Sequence, residues 1–162
     1  MADKGFWGKV STSGPPPKPG SWQFRILQAV TKAHVLIYRR TGGRLLGSFD
    51  SAPACVLHHR GAKSGEPRET PLTYLRDGAD VVLIASYGGA PKSPAWYHNI
   101  TATPEIEIER DGRREPMRAR RAAGDERAGL WQRIVAMYPG YADYQARTER
   151  EITVMVCEPR SL

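Results

Sequence analysis

Residues 60–99 read RGAKSGEPRETPLTYLRDGADVVLIASYGGAPKSPAWYHN, one β-hairpin between two loops that carry glycines and cationic side chains. Asp77-Gly78 is a strong turn signal, so residues 71–76 and 79–86 are predicted to form antiparallel strands. Residues 81–85 of the second strand are continuously apolar, which predicts a strand buried on both faces. The hairpin therefore belongs to the interior of a sheet, with a glycine loop at each end.

Further strands are predicted on both sides of this hairpin. In residues 105–109 isoleucine alternates with glutamate, so the isoleucines should face the core. After the turn signal Asp111-Gly112, the alternation continues with Met117 and Ala119 facing inward. The predicted strands outside the hairpin are residues 54–59, 105–109, 115–121 and 152–157. About six strands in adjacent hairpins predict an α+β, mainly β fold: a small antiparallel barrel with peripheral helices.

Four helices are predicted, at residues 22–40, 94–103, 125–138 and 141–148. The first is basic and amphipathic, with an apolar stripe of Trp22, Ile26, Val30, Ala33 and Ile37. Packing of this stripe on the core is the favoured interpretation, and contact with an anionic membrane surface is the alternative. Residues 1–20 are rich in proline and glycine and are predicted to be a disordered arm.

Composition limits the class of protein. A chain of 162 residues suits one domain, expected over residues 21–162. The formal net charge of +7 favours anionic partners, but no nucleic-acid-binding motif accompanies it. No apolar run is long enough to cross a bilayer and no secretory signal is evident, so a cytoplasmic protein is expected, with membrane association left open. Cys55 and Cys157 are predicted to be buried free thiols, and no metal site is predicted.

The two glycine loops carry the chemistry that the sequence suggests. Glycines let a backbone approach a ligand, and Lys63 and Arg68 add positive charge suited to a phosphate or carboxylate. The spacing of a P-loop is absent, and so is a dinucleotide-binding glycine motif, which disfavours nucleoside triphosphates and Rossmann-bound cofactors. An exposed loop whose charges only maintain solubility is the alternative.

Two groups of side chains outside these loops deserve separate interpretation. Tyr138, Tyr141 and Tyr144 lie three residues apart across Pro139-Gly140 and are predicted to line a pocket for a flat organic substrate. His58 and His59 are interpreted as strand histidines that meet backbone partners rather than as catalytic groups.

The chain resembles the deazaflavin (F420)-dependent nitroreductase family of actinobacteria. The resemblance extends over nearly everything from residue 22 onward and rests on six segments: residues 61–68, 71–72, 85–89, 94–99, 137–145 and 156–159. It implies an antiparallel split β-barrel of the flavin-reductase type. It also implies that the protein uses reduced coenzyme F420, whose phosphate and oligoglutamate tail agree with the cationic loops, to transfer a hydride to a quinone, a nitroaromatic or a similar flat electrophile.

The resemblance also implies site residues. Lys63 and Arg68 match the positions that hold the phosphate and acidic tail, while Ser86 and Tyr138 match catalytic positions near the reacting ring. Substrate positions are Thr73, Ser86, Tyr138, Tyr141 and Tyr144. The implied cofactor-binding residues are Ala62, Lys63, Ser64, Arg68, Glu69, Thr70, Pro71, Leu72, Thr73, Ile84, Ala85, Ser86, Tyr87, Ala95, Trp96, Tyr97, His98, Asn99 and Tyr141.

The substrate side departs from the family pattern at Thr73, Tyr87 and Ala95, where the best-known nitroreductase has an aromatic residue, a lysine and a methionine. These differences put a preference for nitroimidazoles in doubt and leave the cofactor expectation in place. Two other functions stay open at this point: an FMN-dependent oxidoreductase with the same barrel, and a non-catalytic module that binds F420 or docks on a membrane.

Overall fold

The computed structural model describes residues 21–40, 48–49 and 52–161. Its helices are α1 (Trp22–Arg40), α2 (Ala95–Ala102), α3 (Gly124–Met137) and α4 (Gly140–Ala146), and a short 3-10 turn spans Tyr87–Gly89. Its strands are β1 (Ser48–Phe49), β2 (Ala52–Arg60), β3 (Pro67–Asp77), β4 (Asp80–Ile84), β5 (Glu105–Arg110), β6 (Arg113–Arg121) and β7 (Val154–Pro159). The predicted arm at residues 1–20 lies outside the described residues.

Six of these strands form a closed antiparallel barrel. The order β2-β3-β4-β7-β6-β5 returns to its start because β5 also pairs with β2. Leu57 lies opposite Ile108 in this closing pair and opposite Thr70 on the other edge of β2. The two-residue strand β1 pairs with the start of β2. The predicted antiparallel split barrel is confirmed, and so are its adjacent hairpins.

Strand β4 is buried on both faces, as its continuous apolar run predicts. Val81 and Leu83 face the barrel interior, where they pack with Ile108 and Met117. Val82 and Ile84 face outward and pack with side chains of α3 and α4. A strand that is covered by the barrel on one side and by helices on the other needs apolar side chains at every position.

The β5–β6 hairpin also follows its pattern. Ile106 and Ile108 are buried, as are Met117 and Ala119 across the pair. Asp111 and Gly112 join the strands with φ angles of 51° and 72°, the left-handed conformation that a tight two-residue turn requires. Glutamates of β5 pair with arginines of β6 on the outer face, for instance Glu105 with Arg118. The outward-facing charges of this hairpin are therefore largely balanced.

Helix α1 contradicts the favoured interpretation of its stripe. Trp22 is 69% exposed, Ile26 53% and Ile37 42%, so these side chains do not pack on the core. The helix touches the barrel instead through Val35, which is buried against Val56. The physical reason is that Val35 lies off the predicted stripe, and the contact turns the stripe toward solvent. Among the described helices, none combines the length and apolar character needed to cross a bilayer.

Both cysteines are buried free thiols, as predicted. Cys55 and Cys157 lie in the barrel interior, and burial raises the pKa of both thiols well above the ordinary value. Among the described residues no group of histidine, cysteine or acidic side chains is arranged to hold a metal ion.

Candidate functional site

An open cleft of about 490 Å³ lies where β3, the end of β4 and the start of α2 meet. Its wall combines a cationic side chain, hydroxyl groups and aromatic rings, which suits a ligand with a charged end and a flat end. The lining residues are His59, Arg68, Glu69, Thr70, Leu72, Thr73, Ile84, Ser86, Tyr87, Pro94, Ala95, Trp96, Asn99 and Tyr141.

The first glycine loop, residues 61–66, stands at the charged end of this cleft. Its backbone closes on itself, because Gly65 N–H donates to Gly61 O at 2.7 Å and Gly61 N–H donates to Glu66 O at 2.9 Å. A Cβ at Gly61 would lie 2.5 Å from Ser64 Oγ and 3.0 Å from Arg68 Nε, so a larger residue at this position would have to displace these two side chains. Lys63 is exposed and Arg68 is half exposed, so both cations can reach a ligand.

The backbone of this loop also offers donors. Within the described part of the chain, the N–H groups of Lys63 and Ser64 have no acceptor. Exposed N–H groups beside cationic side chains make a site for an anionic group such as a phosphate. The donor set of the loop therefore fits the charged part of the cofactor that the resemblance implies.

A chain of hydrogen bonds joins this loop to the barrel through His59. Ala62 N–H donates to Asn99 Oδ1 at 2.9 Å, and Asn99 Nδ2 lies 3.2 Å from His59 Nδ1. On the other side of the ring, His59 Nε2 lies 3.0 Å from Thr70 Oγ1. Burial, with Arg68 close by, lowers the pKa of His59 to about 4, so the ring is neutral at pH 7.

His59 has a backbone partner at Arg60, as expected, and it has side-chain partners as well. The side-chain partners belong to β3 and α2, and the His59 ring lines the cleft between them. His58 likewise meets side chains, with Glu109 Oε2 at 2.9 Å from Nε2 and Glu69 Oε1 at 3.4 Å from Nδ1. The His-His pair inside an apolar strand was the only sequence signal for this arrangement.

The second glycine loop follows β4 and turns sharply. Tyr87, Gly88 and Gly89 all have positive φ, at 48°, 62° and 79°. A non-glycine residue pays a steric cost in this region, so the turn at Tyr87 needs support from its surroundings. Gly89 is pressed against α4: a Cβ there would lie 2.5 Å from Tyr144 O. The loop carries Ser86 and Tyr87 into the wall of the cleft.

The predicted tyrosine cluster is a packed group of rings. Tyr141 lies edge-on to both neighbours, with ring centroids 5.5 Å from Tyr138 and 5.9 Å from Tyr144. Tyr141 is buried and its hydroxyl lies 2.7 Å from Thr73 Oγ1, while burial raises its pKa. Of the three rings, Tyr141 lines the cleft. The other two pack behind it, partly buried against the outer apolar cluster.

The structure brings twelve of the predicted site residues into the cleft wall: Arg68, Glu69, Thr70, Leu72, Thr73, Ile84, Ser86, Tyr87, Ala95, Trp96, Asn99 and Tyr141. Nine others do not line it: Ala62, Lys63, Ser64, Pro71, Ala85, Tyr97, His98, Tyr138 and Tyr144. The first three of these form the exposed loop at its charged end, and the two tyrosines support Tyr141. His59 and Pro94 line the cleft without having been predicted.

A second, larger groove of about 1030 Å³ runs between α1 and the barrel. It shares His59, Arg68 and Glu69 with the cleft, so the two spaces meet at the charged end. Its wall mixes cations such as Lys32 with acidic side chains such as Glu107. The mixed charge gives this groove no clear preference for an anion.

Comparisons with known proteins identify the family. A model of the F420H(2)-dependent quinone reductase family matches residues 30–159. An F420H(2)-dependent quinone reductase of Mycobacterium tuberculosis (strain H37Rv) is 41% identical over 133 residues, which cover 80% of this chain and 89% of that protein.

Two solved structures are also similar. One is a structure of an F420-H2 dependent reductase (FDR-A), with 37% identity, a TM-score of 0.61 and coverage of 65% of this chain and 94% of that one. The other is described as a domain-swapped dimer, with 34% identity, a TM-score of 0.62 and coverage of 76% of this chain and 98% of that one. By the family model and the curated relative together, the chain belongs to the F420H(2)-dependent quinone reductase family.

Proposed function

We propose that this protein reduces quinones with reduced coenzyme F420, and that the cleft holds both reactants. The proposal rests on one observation: the cationic side chains and the aromatic or hydroxyl side chains lie at different ends of the cleft. Lys63 and Arg68 stand at one end, and Ser86 and Tyr141 stand at the other. F420 has an anionic tail and a flat ring, so the distribution of charge and aromatic surface in the cleft supports its binding.

The cofactor residues that the resemblance implies remain part of this proposal. Lys63, Arg68 and Thr70 would hold the phosphate and acidic tail through charge-assisted hydrogen bonds. Ile84, Ala95 and Trp96 would contact the flat ring with apolar surface, and the remaining implied residues would support these contacts. The exposed N–H groups of the first loop support the assignment of the anionic end.

When bound, reduced F420 supplies the hydride and the proton that convert a quinone to a hydroquinone. The residues of this chain orient the quinone and stabilise the negative charge that develops on its oxygen. Ser86 lines the cleft and can donate a hydrogen bond to that oxygen. Tyr141 and, behind it, Tyr138 are proposed to assist, with Thr73 setting the direction of the Tyr141 hydroxyl.

The hydrogen-bond chain through His59 supports the proposed role of Thr70. Asn99 Oδ1 accepts from Ala62 N–H, so the Asn99 amide donates through Nδ2 to His59 Nδ1. The neutral ring then carries its proton on Nε2 and donates it to Thr70 Oγ1. Thr70 is left with its own hydroxyl proton, which can be donated to an anion in the cleft.

The activity is tested directly with the purified chain. When menadione is added, we expect reduced F420 to be oxidised. This oxidation is measured as the return of the absorbance of oxidised F420. Release of a stoichiometric yellow flavin from the protein would favour the FMN-dependent alternative. Binding of F420 without oxidation across a panel of quinones and nitroaromatics would contradict the proposed enzyme and favour a carrier module.

The charged end of the cleft is tested by removing its cations. Lys63→Ala and Arg68→Gln should each weaken F420 binding by about 1–3 kcal/mol, the loss expected for a charge-assisted hydrogen bond. Fluorescence titration of F420 measures the dissociation constant. Arg113→Gln, which removes an exposed arginine at the β5–β6 turn, is the matched control and should bind as the wild type does. Unchanged affinity in both site variants would refute the assignment.

The buried neutral state of His59 predicts a pH dependence of stability. The pKa of the His59 ring is about 4 in the folded protein, whereas the ordinary value of 6.5 applies to the unfolded chain. As pH falls below 6.5, the unfolded chain takes up a proton that the folded protein does not. The free energy of unfolding should therefore fall by about 2 kcal/mol between pH 6.5 and 4, less than the full pKa difference gives because the loss is not complete within this pH range.

Denaturant unfolding at several pH values measures this loss. The variant His59→Gln should lose the corresponding part of the pH dependence, because it has no ring to protonate. His98→Gln removes an exposed histidine and should keep the wild-type profile. Identical profiles for His59→Gln and the wild type would contradict the interpretation.

We further propose that α1 contacts an anionic membrane surface, where isoprenoid quinones dissolve. Trp22, Ile26 and Ile37 are exposed on this helix, and its sequence contains no acidic residue. Arg25 and Lys32 are exposed as well. An apolar stripe with cations beside it is typical of helices that lie at a lipid headgroup layer.

Vesicle cosedimentation tests this contact. We expect the full chain to sediment with vesicles that contain anionic lipid and to remain in solution with purely zwitterionic vesicles. The double variant Trp22→Ser, Ile26→Ser should lose most of this binding, whereas Arg113→Gln should retain it. Equal binding of the double variant, or no binding by the wild type, would contradict the proposal.

A further inference from the structure

Arg150 lies between α4 and β7 and reaches back to the second glycine loop. Its Nη2 donates to Ser86 O at 2.8 Å and to Ala85 O at 3.1 Å. Its Nε donates to Ala90 O at 2.9 Å. One guanidinium therefore holds the chain on both sides of the turn at Tyr87–Gly89.

The turn that Arg150 spans has few hydrogen bonds of its own. Gly89 N–H donates to Ser86 O at 3.0 Å and Ala90 N–H donates to Tyr87 O at 3.1 Å. Three consecutive residues with positive φ make this an unfavourable path for the chain, above all at Tyr87. An external partner is needed to keep the turn in one conformation, and Arg150 bonds its entry and its exit.

The position of Arg150 is costly for an arginine. Its Nη1 is buried and has no hydrogen-bond partner. Within the described ranges, no carboxylate forms an ion pair with this guanidinium. Burial also lowers the pKa of the side chain. A cation that is partly removed from water without a counter-charge is held here by backbone carbonyls, all of them in the loop that carries Ser86.

We propose that Arg150 is a positioning residue for the acceptor end of the cleft: it holds the turn at Tyr87–Gly89 so that Ser86 and Tyr87 face the quinone. This role rests on the proposed function. Arg150 does not line the cleft, and it acts through the two residues whose backbone it fixes. Gly89 completes the arrangement, because its contact with Tyr144 presses the turn against the helix that carries Tyr141.

Two variants test the inference, so that it does not depend on the folding of a single variant. Arg150→Gln removes the charge and the fork of donors. Arg150→Lys keeps the charge, but a single ammonium group cannot reproduce the planar fork that reaches three carbonyls. Arg113→Gln is the control for the loss of an exposed arginine.

The first measurement is amide hydrogen exchange of the full chain, which needs no activity. In both Arg150 variants we expect exchange at Gly89 and Ala90 to be faster by about tenfold or more, because these amides depend on the turn. Exchange at Val82 of β4 and Val156 of β7 should match the Arg113→Gln control. Unchanged exchange at the turn in both variants would overturn the inference, as would equal acceleration throughout the barrel.

The second measurement separates the two ends of the cleft. For Arg150→Lys, the KM for menadione should rise by about tenfold or more because the acceptor wall is misplaced, while the dissociation constant of F420, whose anionic end is held outside this loop by Lys63 and Arg68, should rise much less. Parallel weakening of both would overturn the positioning role. If the wild type reduces no quinone, the proposed function fails, and the exchange measurement still decides whether Arg150 holds the turn.

Discussion

The pairing of β2 with β5 is the interaction on which the rest of the structure depends. It converts a row of hairpins into a closed barrel and gives β2 a partner on each edge. A closed barrel leaves no unpaired edge among its six strands, so the interior can be filled by apolar side chains alone. Val56, Leu57 and His58 are paired on both edges, which fixes the path of β2 immediately before His59. Its last residues then bring His59 to a defined position beside β3 and α2.

The second constraint is the burial of β4 on both faces. Its inward side chains belong to the barrel and its outward side chains belong to the layer of α3 and α4. The strand therefore joins the barrel to the helix that carries the tyrosines. The loop that follows β4 therefore begins at a strand that is packed on both faces. Its first residue is also held, because Ala85 N–H donates to Thr153 O at 2.9 Å. A strained turn can follow only where the preceding strand is so firmly held.

Local patterns predicted the fold well, because hairpins and alternation are short-range features. Asp111-Gly112 and the isoleucines of β5 needed only their neighbours in sequence to be interpreted correctly. The side-chain partners of His59 come from two other segments, β3 and α2, and no local pattern specifies that they meet. The exposure of Trp22 also escaped prediction, since a helical stripe shows which residues share a face and not which face meets the barrel. Most of the residues that line the cleft were predicted from the family resemblance. The sequence pattern without the resemblance predicted the cationic loop and the tyrosines.

The two glycine loops, similar in sequence, are supported in opposite ways. The first closes on its own backbone and exposes Lys63 and Ser64. It is joined to the rest of the fold through Ala62, whose N–H donates to Asn99 Oδ1, and through Gly65, whose carbonyl accepts from Arg60 Nη1. Such a loop can adjust to the phosphate and flexible tail of a ligand. The second is held at both ends by Arg150 and pressed onto α4 at Gly89. Hydride transfer requires the acceptor to be oriented closely, and orientation needs a wall that does not move. The rigid loop is therefore suited to the reacting end of the cleft, and the adaptable loop to the anionic end.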